Sequence, residues 1–137
     1  MRYFSTRGGE KDVSFSSVLL NGLAKDGGLY IPNSFPKFSK EDLNHLKKMD
    51  YSDLCFEVTK KFISDTDIPY KDYKKICAKT YSKIFGGKII DIKKLNEYEN
   101  ILNLYYGPTL AFKDFALQLL GNIYDYVLKK KKLILRF

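Results

Sequence analysis

Hydrophobic residues along this chain recur in two rhythms, and the switches between them mark out its elements. Tyr3 and Phe4 predict a short strand, and a polar loop follows through Ser5, Thr6, Arg7, Gly8 and Gly9. Helical spacing then sets in: Val18, Leu19 and Leu23 predict the inward face of a helix over residues 15–23, with Ser14 as N-cap and Gly22 near its end. Asp26, Gly27 and Gly28 form a strong turn signal, and Leu29, Tyr30 and Ile31 read as an extended piece before Pro32. Three further helices are predicted. Ser39 with Asp42 resembles a capping box opening the first, which carries Leu43, Leu46 and Met49. Ser52 caps the second, which buries Leu54, Cys55, Val58 and Phe62. Pro69 takes the first helical position of the third, with Tyr73, Ile76, Cys77 and Tyr81 inside and Gly86-Gly87 as its stop. Together they predict a small helical subdomain with no internal repeat.

The rest of the chain is arranged around residues 100–132. Ile101, Leu102, Leu104, Tyr105 and Tyr106 make a nearly continuous apolar run, the pattern of a strand buried on both faces, and Gly107-Pro108 ends it. Beyond the loop, Ala116, Leu119, Leu120, Ile123 and Val127 recur at helical spacing. They predict a helix over residues 114–129, with Asp114 placed to cap or charge-complement its first turn and lysines in its last. Residues 88–92 predict another strand and residues 93–100 a polar connector. Leu133, Ile134 and Leu135 predict a strand parallel to residues 101–105, joined by a right-handed crossover over the helix.

Composition narrows this picture. With 137 residues and 45% hydrophobic content, the chain can build one domain with a real core. A net charge of +8 would permit a nucleic-acid or anionic-membrane partner. The lysines fall as scattered pairs, however, and the longest run, Lys129 to Lys132, closes a helix where positive charge offsets the dipole. A solvated face is the stronger reading, so no nucleic acid and no membrane is expected as a partner; a small basic nucleic-acid-binding module is the weaker alternative. Cys55 and Cys77 lie within helical patterns and His45 is the single histidine, which supports neither a metal site nor a histidine-based triad. Two reduced, buried thiols in a cytoplasm are expected. No apolar segment reaches transmembrane length, and polar residues and glycines interrupt the N-terminus by Gly8, unlike a secretory signal.

Two places carry candidate chemistry. Lys113 sits at a helix N-terminus on a loop after an apolar strand, where α/β proteins commonly build sites, and the dipole and the neighbours Leu110, Phe112 and Phe115 disfavour an ammonium there. A neutral lysine is a nucleophile for a carbonyl, although residue type and position alone equally describe an ordinary loop lysine. Arg7, with Gly8 and Gly9, could hold an anion, or form a plain glycine turn with a surface arginine.

The wording of these stretches adds a resemblance. Gly107-Pro108-Thr109-Leu110-Ala111-Phe112-Lys113-Asp114-Phe115-Ala116-Leu117-Gln118 resembles the signature of the threonine synthase family, fold-type II pyridoxal phosphate enzymes, around the lysine that carries the cofactor. Tyr3-Phe4-Ser5-Thr6-Arg7-Gly8, Val13-Ser14-Phe15 and Asn21-Gly22-Leu23-Ala24-Lys25-Asp26-Gly27-Gly28-Leu29-Tyr30-Ile31-Pro32 are similar to the family's opening. The resemblance implies an α/β fold: residues 1–87 form a threonine-synthase-like N-terminal domain with a helical subdomain, and residues 88–137 lead into the first parallel strands of a truncated fold-type II domain. It implies a cytoplasmic carbon–oxygen lyase converting O-phospho-L-homoserine and water to L-threonine and phosphate. Lys113 would be the catalytic, cofactor-bearing residue, Phe112 and Asp114 would support the cofactor, Arg7 would meet an anionic group of the substrate, and no metal is implied.

The resemblance also has an edge. In the family, the strand matching residues 133–135 leads into a Ser-Gly-x-Thr-Gly loop that cradles the cofactor phosphate, whereas this sequence reaches Arg136-Phe137. The expectation is therefore a fragment inactive by itself, completed by a C-terminal fragment, with a non-catalytic remnant as the alternative.

Overall fold

A computed structural model describes residues 1–131, apart from the Lys83 side chain. Strand β1 (Tyr3–Ser5) pairs antiparallel with β2 (Tyr30–Pro32), and Val13 bridges to Tyr3 from the loop between them. Between the two strands lies α1 (Phe15–Asn21); α2 (Lys40–Leu46), α3 (Tyr51–Thr59), α4 (Tyr70–Thr80) and a 3-10 turn (Lys83–Phe85) follow. An antiparallel hairpin of β3 (Asp91–Lys94) and β4 (Asn100–Asn103) leads to the long helix α5 (Asp114–Lys130).

One core joins the helices: Leu19 of α1, Phe56 of α3, Tyr73, Ile76 and Cys77 of α4, and Ile123 and Val127 of α5, with Ile63 and Ile68 from the connection. Burying a tyrosine requires a partner for its hydroxyl. Tyr73 Oη lies 2.7 Å from Thr59 Oγ1, while Tyr126 donates to Asp72 Oδ2 at 2.8 Å and Tyr124 to the Leu19 carbonyl, tying α5 to α4 and α1. No helix among the described residues is long and apolar enough to cross a membrane.

Several expectations hold and several need correction. Ser14 caps α1, and Ser39 with Asp42 makes a full capping box on α2. Helix α1 stops at Asn21 because Gly22, at φ 70°, turns its N–H onto the Val18 carbonyl, so Leu23 lies beyond the helix and is exposed. In α2 only Leu46 is buried, and Leu43 faces solvent. The cap of α3 is Asp50 rather than Ser52, whose hydroxyl instead donates to Asp50. That earlier start brings Tyr51 into the helix, 4.8 Å from the Tyr81 ring, and the residue most buried is Phe56 against Tyr73, while Leu54, Cys55, Val58 and Phe62 are half-buried. Pro69 occupies the N-cap of α4 rather than its first turn, and α4 ends at Thr80, ahead of the 3-10 turn and the left-handed Gly86 and Gly87.

The hairpin departs furthest from expectation. Its first strand begins at Asp91 and runs into the stretch expected to be a connector, because Asn96 accepts hydrogen bonds from the Tyr98 and Glu99 amides and closes a tight turn. The strand expected to be buried on both faces is shorter, β4, and leaves Ile101 and Leu102 exposed, since among the described residues its one strand partner is β3. The parallel strand expected at residues 133–135 lies outside the described residues.

Candidate functional site

Helix α5 begins where the chain leaves a closed loop. Gly107 accepts from the Leu110 amide at 3.1 Å, Leu110 takes φ 59°, and Ala111 accepts from the Asp114 amide at 3.0 Å, giving two consecutive turns over residues 107–114. The Asp114 carboxylate, 3% exposed, folds back on this loop rather than capping the helix, whose N-cap position is Lys113. It accepts from the Thr109 amide at 2.8 Å and from the Thr109 hydroxyl at 2.9 Å to each oxygen. Burial opposes its charge most, but hydrogen bonds from Thr109, with further ones from the Ala111 main chain and Gln118, together hold the Asp114 pKa below the usual carboxylate value. A Cβ at position 107 would overlap the Asp114 side chain, which explains the glycine there.

Lys113 follows directly from this geometry. Its carbonyl accepts from the amides of Ala116 and Leu117 at 3.1 and 2.9 Å, which holds its main chain in the first turn of α5. Its side chain is exposed and lines a cleft of about 490 Å³ with Leu102, Leu104, Phe112, Phe115 and Leu117. Among the described residues, the Lys113 amine has no hydrogen bond or ion pair. The apolar surround expected for it is one-sided: Phe115 is packed edge-on against Tyr51 at 5.8 Å and rests on Phe85 at 5.3 Å, but Phe112 is 66% exposed and Leu110 74%. The Tyr81 hydroxyl donates to the Phe115 carbonyl at 2.7 Å, anchoring this end of α5 to α4. A primary amine carried on a fixed main chain beside an aromatic cleft can add to an aldehyde or ketone carbon.

Phe112, Lys113 and Asp114 are thus brought together; Arg7 belongs to a separate cluster. The loop after β1 is built on Asp26, whose carboxylate accepts from the Ser5 hydroxyl at 2.7 and 2.8 Å and from the amides of Gly9 and Gly28 at 2.8 and 2.9 Å. Ser5 is the largest cause holding the Asp26 pKa below its ordinary value, followed by the Gly28 amide. The donors of the loop expected to hold an external anion are therefore used internally: the Gly9 amide on the Asp26 carboxylate, the Thr6, Arg7 and Gly8 amides on the Leu29 carbonyl, the Ser5 hydroxyl and the Ser5 carbonyl respectively, and the Arg7 guanidinium on the Asp26 carbonyl at 3.0 Å. No hydrogen bond among the described residues joins this cluster to residues 105–115.

Both cysteines are free thiols, Cys77 buried and Cys55 half-buried. Hydrogen bonding to Cys55 and burial push the Cys77 thiol up, so it is the inert member of the pair. Thr109, Gly107, Leu102 of β4 and Leu104 just beyond it are contributors to which sequence reasoning gave no role in the site. Nothing in the order of residues 107–114 singles out Thr109 as the partner of Asp114, and Leu102 and Leu104 could be placed only once the hairpin was known.

Comparison with known proteins bears on this site. A family model described as "Threonine synthase N terminus" matches residues 2–81. The chain is 45% identical over 131 residues to the threonine synthase of Pseudomonas aeruginosa, covering 96% of this chain and 28% of that protein. It is likewise 45% identical over 140 residues to the threonine synthase of Methylobacillus glycogenes, covering 96% of this chain and 29% of that protein. Among solved structures, PLP-bound threonine synthase from Brucella melitensis is similar with a TM-score of 0.90 and 37% identity, over 96% of this chain and 28% of that one. The chain thus spans under a third of the length of these relatives.

Proposed function

The chain belongs to the threonine synthase family, and from that premise we propose that it supplies the lysine-bearing front part of a pyridoxal 5'-phosphate-dependent carbon–oxygen lyase acting on a phosphate ester. The reaction proposed for the whole enzyme converts O-phospho-L-homoserine and water to L-threonine and phosphate, on a fold-type II scaffold in the cytoplasm. The placement of Lys113 carries this reading: its main chain is held at the start of α5, and its amine, unpaired among the described residues, lies on an aromatic cleft.

These residues fit the cofactor's ring and aldehyde. The cleft wall of Leu102, Leu104, Phe112 and Phe115 suits a planar heteroaromatic ring, and Lys113 is the cation in its lining. When bound, pyridoxal phosphate supplies an electron sink for bond breaking beside the substrate amine. Lys113 Nζ would be the group that holds the cofactor through its aldehyde carbon, and its free amine would move protons between Cα, the cofactor's C4' and Cβ. Phe112, exposed here, would help cover the amine once the rest of the site is in place, and Asp114 fixes the loop that presents it. Arg7 is proposed to meet an anionic group of the substrate. The reading divides the chain into an N-terminal domain over residues 1–87 and the start of the cofactor domain over residues 88–137, with α5 docked back on α1 and α4. The remainder of the site, including the phosphate seat, is assigned to sequence that the longer relatives possess, supplied in continuation or by a complementing C-terminal polypeptide.

A chimera tests this. Replacing the matched region of the Pseudomonas aeruginosa enzyme with this chain is expected to give a protein that releases phosphate from O-phospho-L-homoserine. Lys113→Ala in the chimera should abolish that release and the covalent attachment of the cofactor. A folded chimera without turnover would favour the non-catalytic remnant, and turnover surviving Lys113→Ala would remove Lys113 from the site.

A further inference from the structure

Thr109 is exposed and adds nothing to the core, yet both of its donors point at one buried carboxylate. A carboxylate 3% exposed needs such donors, and hydrogen bonds to a charged acceptor are about twice as strong as neutral ones. The consequence runs along the chain. Asp114 is the neighbour of Lys113, and the carboxylate rests against Gly107, so the Thr109 bonds close residues 107–114 into one loop. On the other side, the Lys113 carbonyl is held by the amides of Ala116 and Leu117. The main chain at Lys113 is therefore fixed from both directions, and Thr109 is the polar half of the N-terminal restraint. Releasing it would free Leu110, held at φ 59°, and Phe112, the exposed wall of the cleft.

We propose that Thr109 is a positioning residue for Lys113: its hydroxyl and amide, clamped to Asp114, hold the amine and Phe112 in the register that lets Lys113 accept an aromatic aldehyde lying in the cleft. This deepens, and rests on, the reading of Lys113 as the cofactor lysine. Thr109 acts through Asp114 and touches no reacting atom.

The 137-residue chain itself provides the test. Wild type, Thr109→Ser and Thr109→Val are incubated with pyridoxal phosphate and reduced with borohydride, and the labelling of Lys113 relative to Lys71, an exposed lysine in the first turn of α4, is read by peptide mapping. Acetic anhydride, which needs no cleft, is used in parallel. Wild type should label Lys113 in preference to Lys71 with the aldehyde, and Thr109→Ser, which keeps both donors, should match it within about twofold. Thr109→Val keeps the shape and loses the hydroxyl; its aldehyde preference should fall by roughly three- to tenfold, with the acetylation ratio unchanged. Asp114→Asn, which keeps an acceptor and loses the charge, should fall between the two. The proposal is overturned if Thr109→Val or Asp114→Asn labels like wild type, if Thr109→Ser falls as far as Thr109→Val, or if the acetylation ratio falls in step. Absence of any Lys113 preference in wild type would instead remove the reading of Lys113, and the clamp's role with it.

Discussion

The two halves of α5 carry the same apolar rhythm and are held by different forces. Toward its C-terminus Ile123 and Val127 enter the core against α4, and the hydroxyls of Tyr124 and Tyr126 are tied to α1 and α4. Toward its N-terminus Leu117 and Leu120 are exposed, and the neighbouring hairpin exposes Ile101 and Leu102 as well. Less area is buried here, chiefly by Phe115 against Tyr51 and Phe85 and by Leu119, and directional contacts are added to it: Thr109 to Asp114 on the loop side, and the Tyr81 hydroxyl on the Phe115 carbonyl. Burial is non-directional and grows with area, so it fixes a core without specifying where a single amine points. Hydrogen bonds to a buried carboxylate specify orientation, and they leave the apolar surface beside Lys113 free to receive a ligand.

The contrast is broken most severely by truncating each half in turn. Ile123→Ala should cost about 2–5 kcal/mol in urea unfolding, whereas Leu117→Ala, at a position 55% exposed, should cost less than about 0.5 kcal/mol. Equal losses would mean that the N-terminal half depends on burial as much as the C-terminal half does. A smaller and more local effect is expected from Gly107→Ala, whose Cβ would collide with the Asp114 side chain. Trypsin cleavage after Lys113 should rise several-fold in that variant while the unfolding midpoint moves little; an unchanged digestion pattern would show that the loop is held without the Asp114 seat.

Acid should produce the smallest effect. The Asp114 carboxyl has its folded pKa below the ordinary value of 3.8, so the stabilisation it contributes is complete above that value and is lost as pH falls through the lowered one. Hydrogen exchange at the Thr109 amide is therefore expected to speed up, relative to the intrinsic rate, as pH drops below 3.8, before the Ile123 region loses protection. Simultaneous loss at both places would merge the two halves into one cooperative unit.

Helix positions were legible because their signals are local. Ser14, Ser39 and the spacing of Tyr73, Ile76 and Cys77 act within one or two turns, so caps and inward faces follow from the order of residues. The misreadings occurred where two local signals competed. Asp50 and Ser52 are both good caps, and the choice went to the one that brings Tyr51 against Tyr81 and Phe115. The apolar run from Ile101 to Tyr106 was read as doubly buried, but exposure depends on what lies across from a strand, which hydropathy does not record.

The same division runs through the site. The sequence by itself determined that Lys113 stands at the head of a helix behind a Gly-Pro loop, and its wording carried the family resemblance, because both are properties of consecutive residues. Tertiary structure alone decided that Asp114 turns away from the helix end to meet Thr109, that the Gly9 amide and the Arg7 guanidinium are taken by Asp26, and that Leu102 and Leu104 complete the cleft. In each case the outcome was a competition among partners for a charged group or an apolar face, settled by which one the folded chain brings within about 3 Å for a hydrogen bond or about 4 Å for a contact.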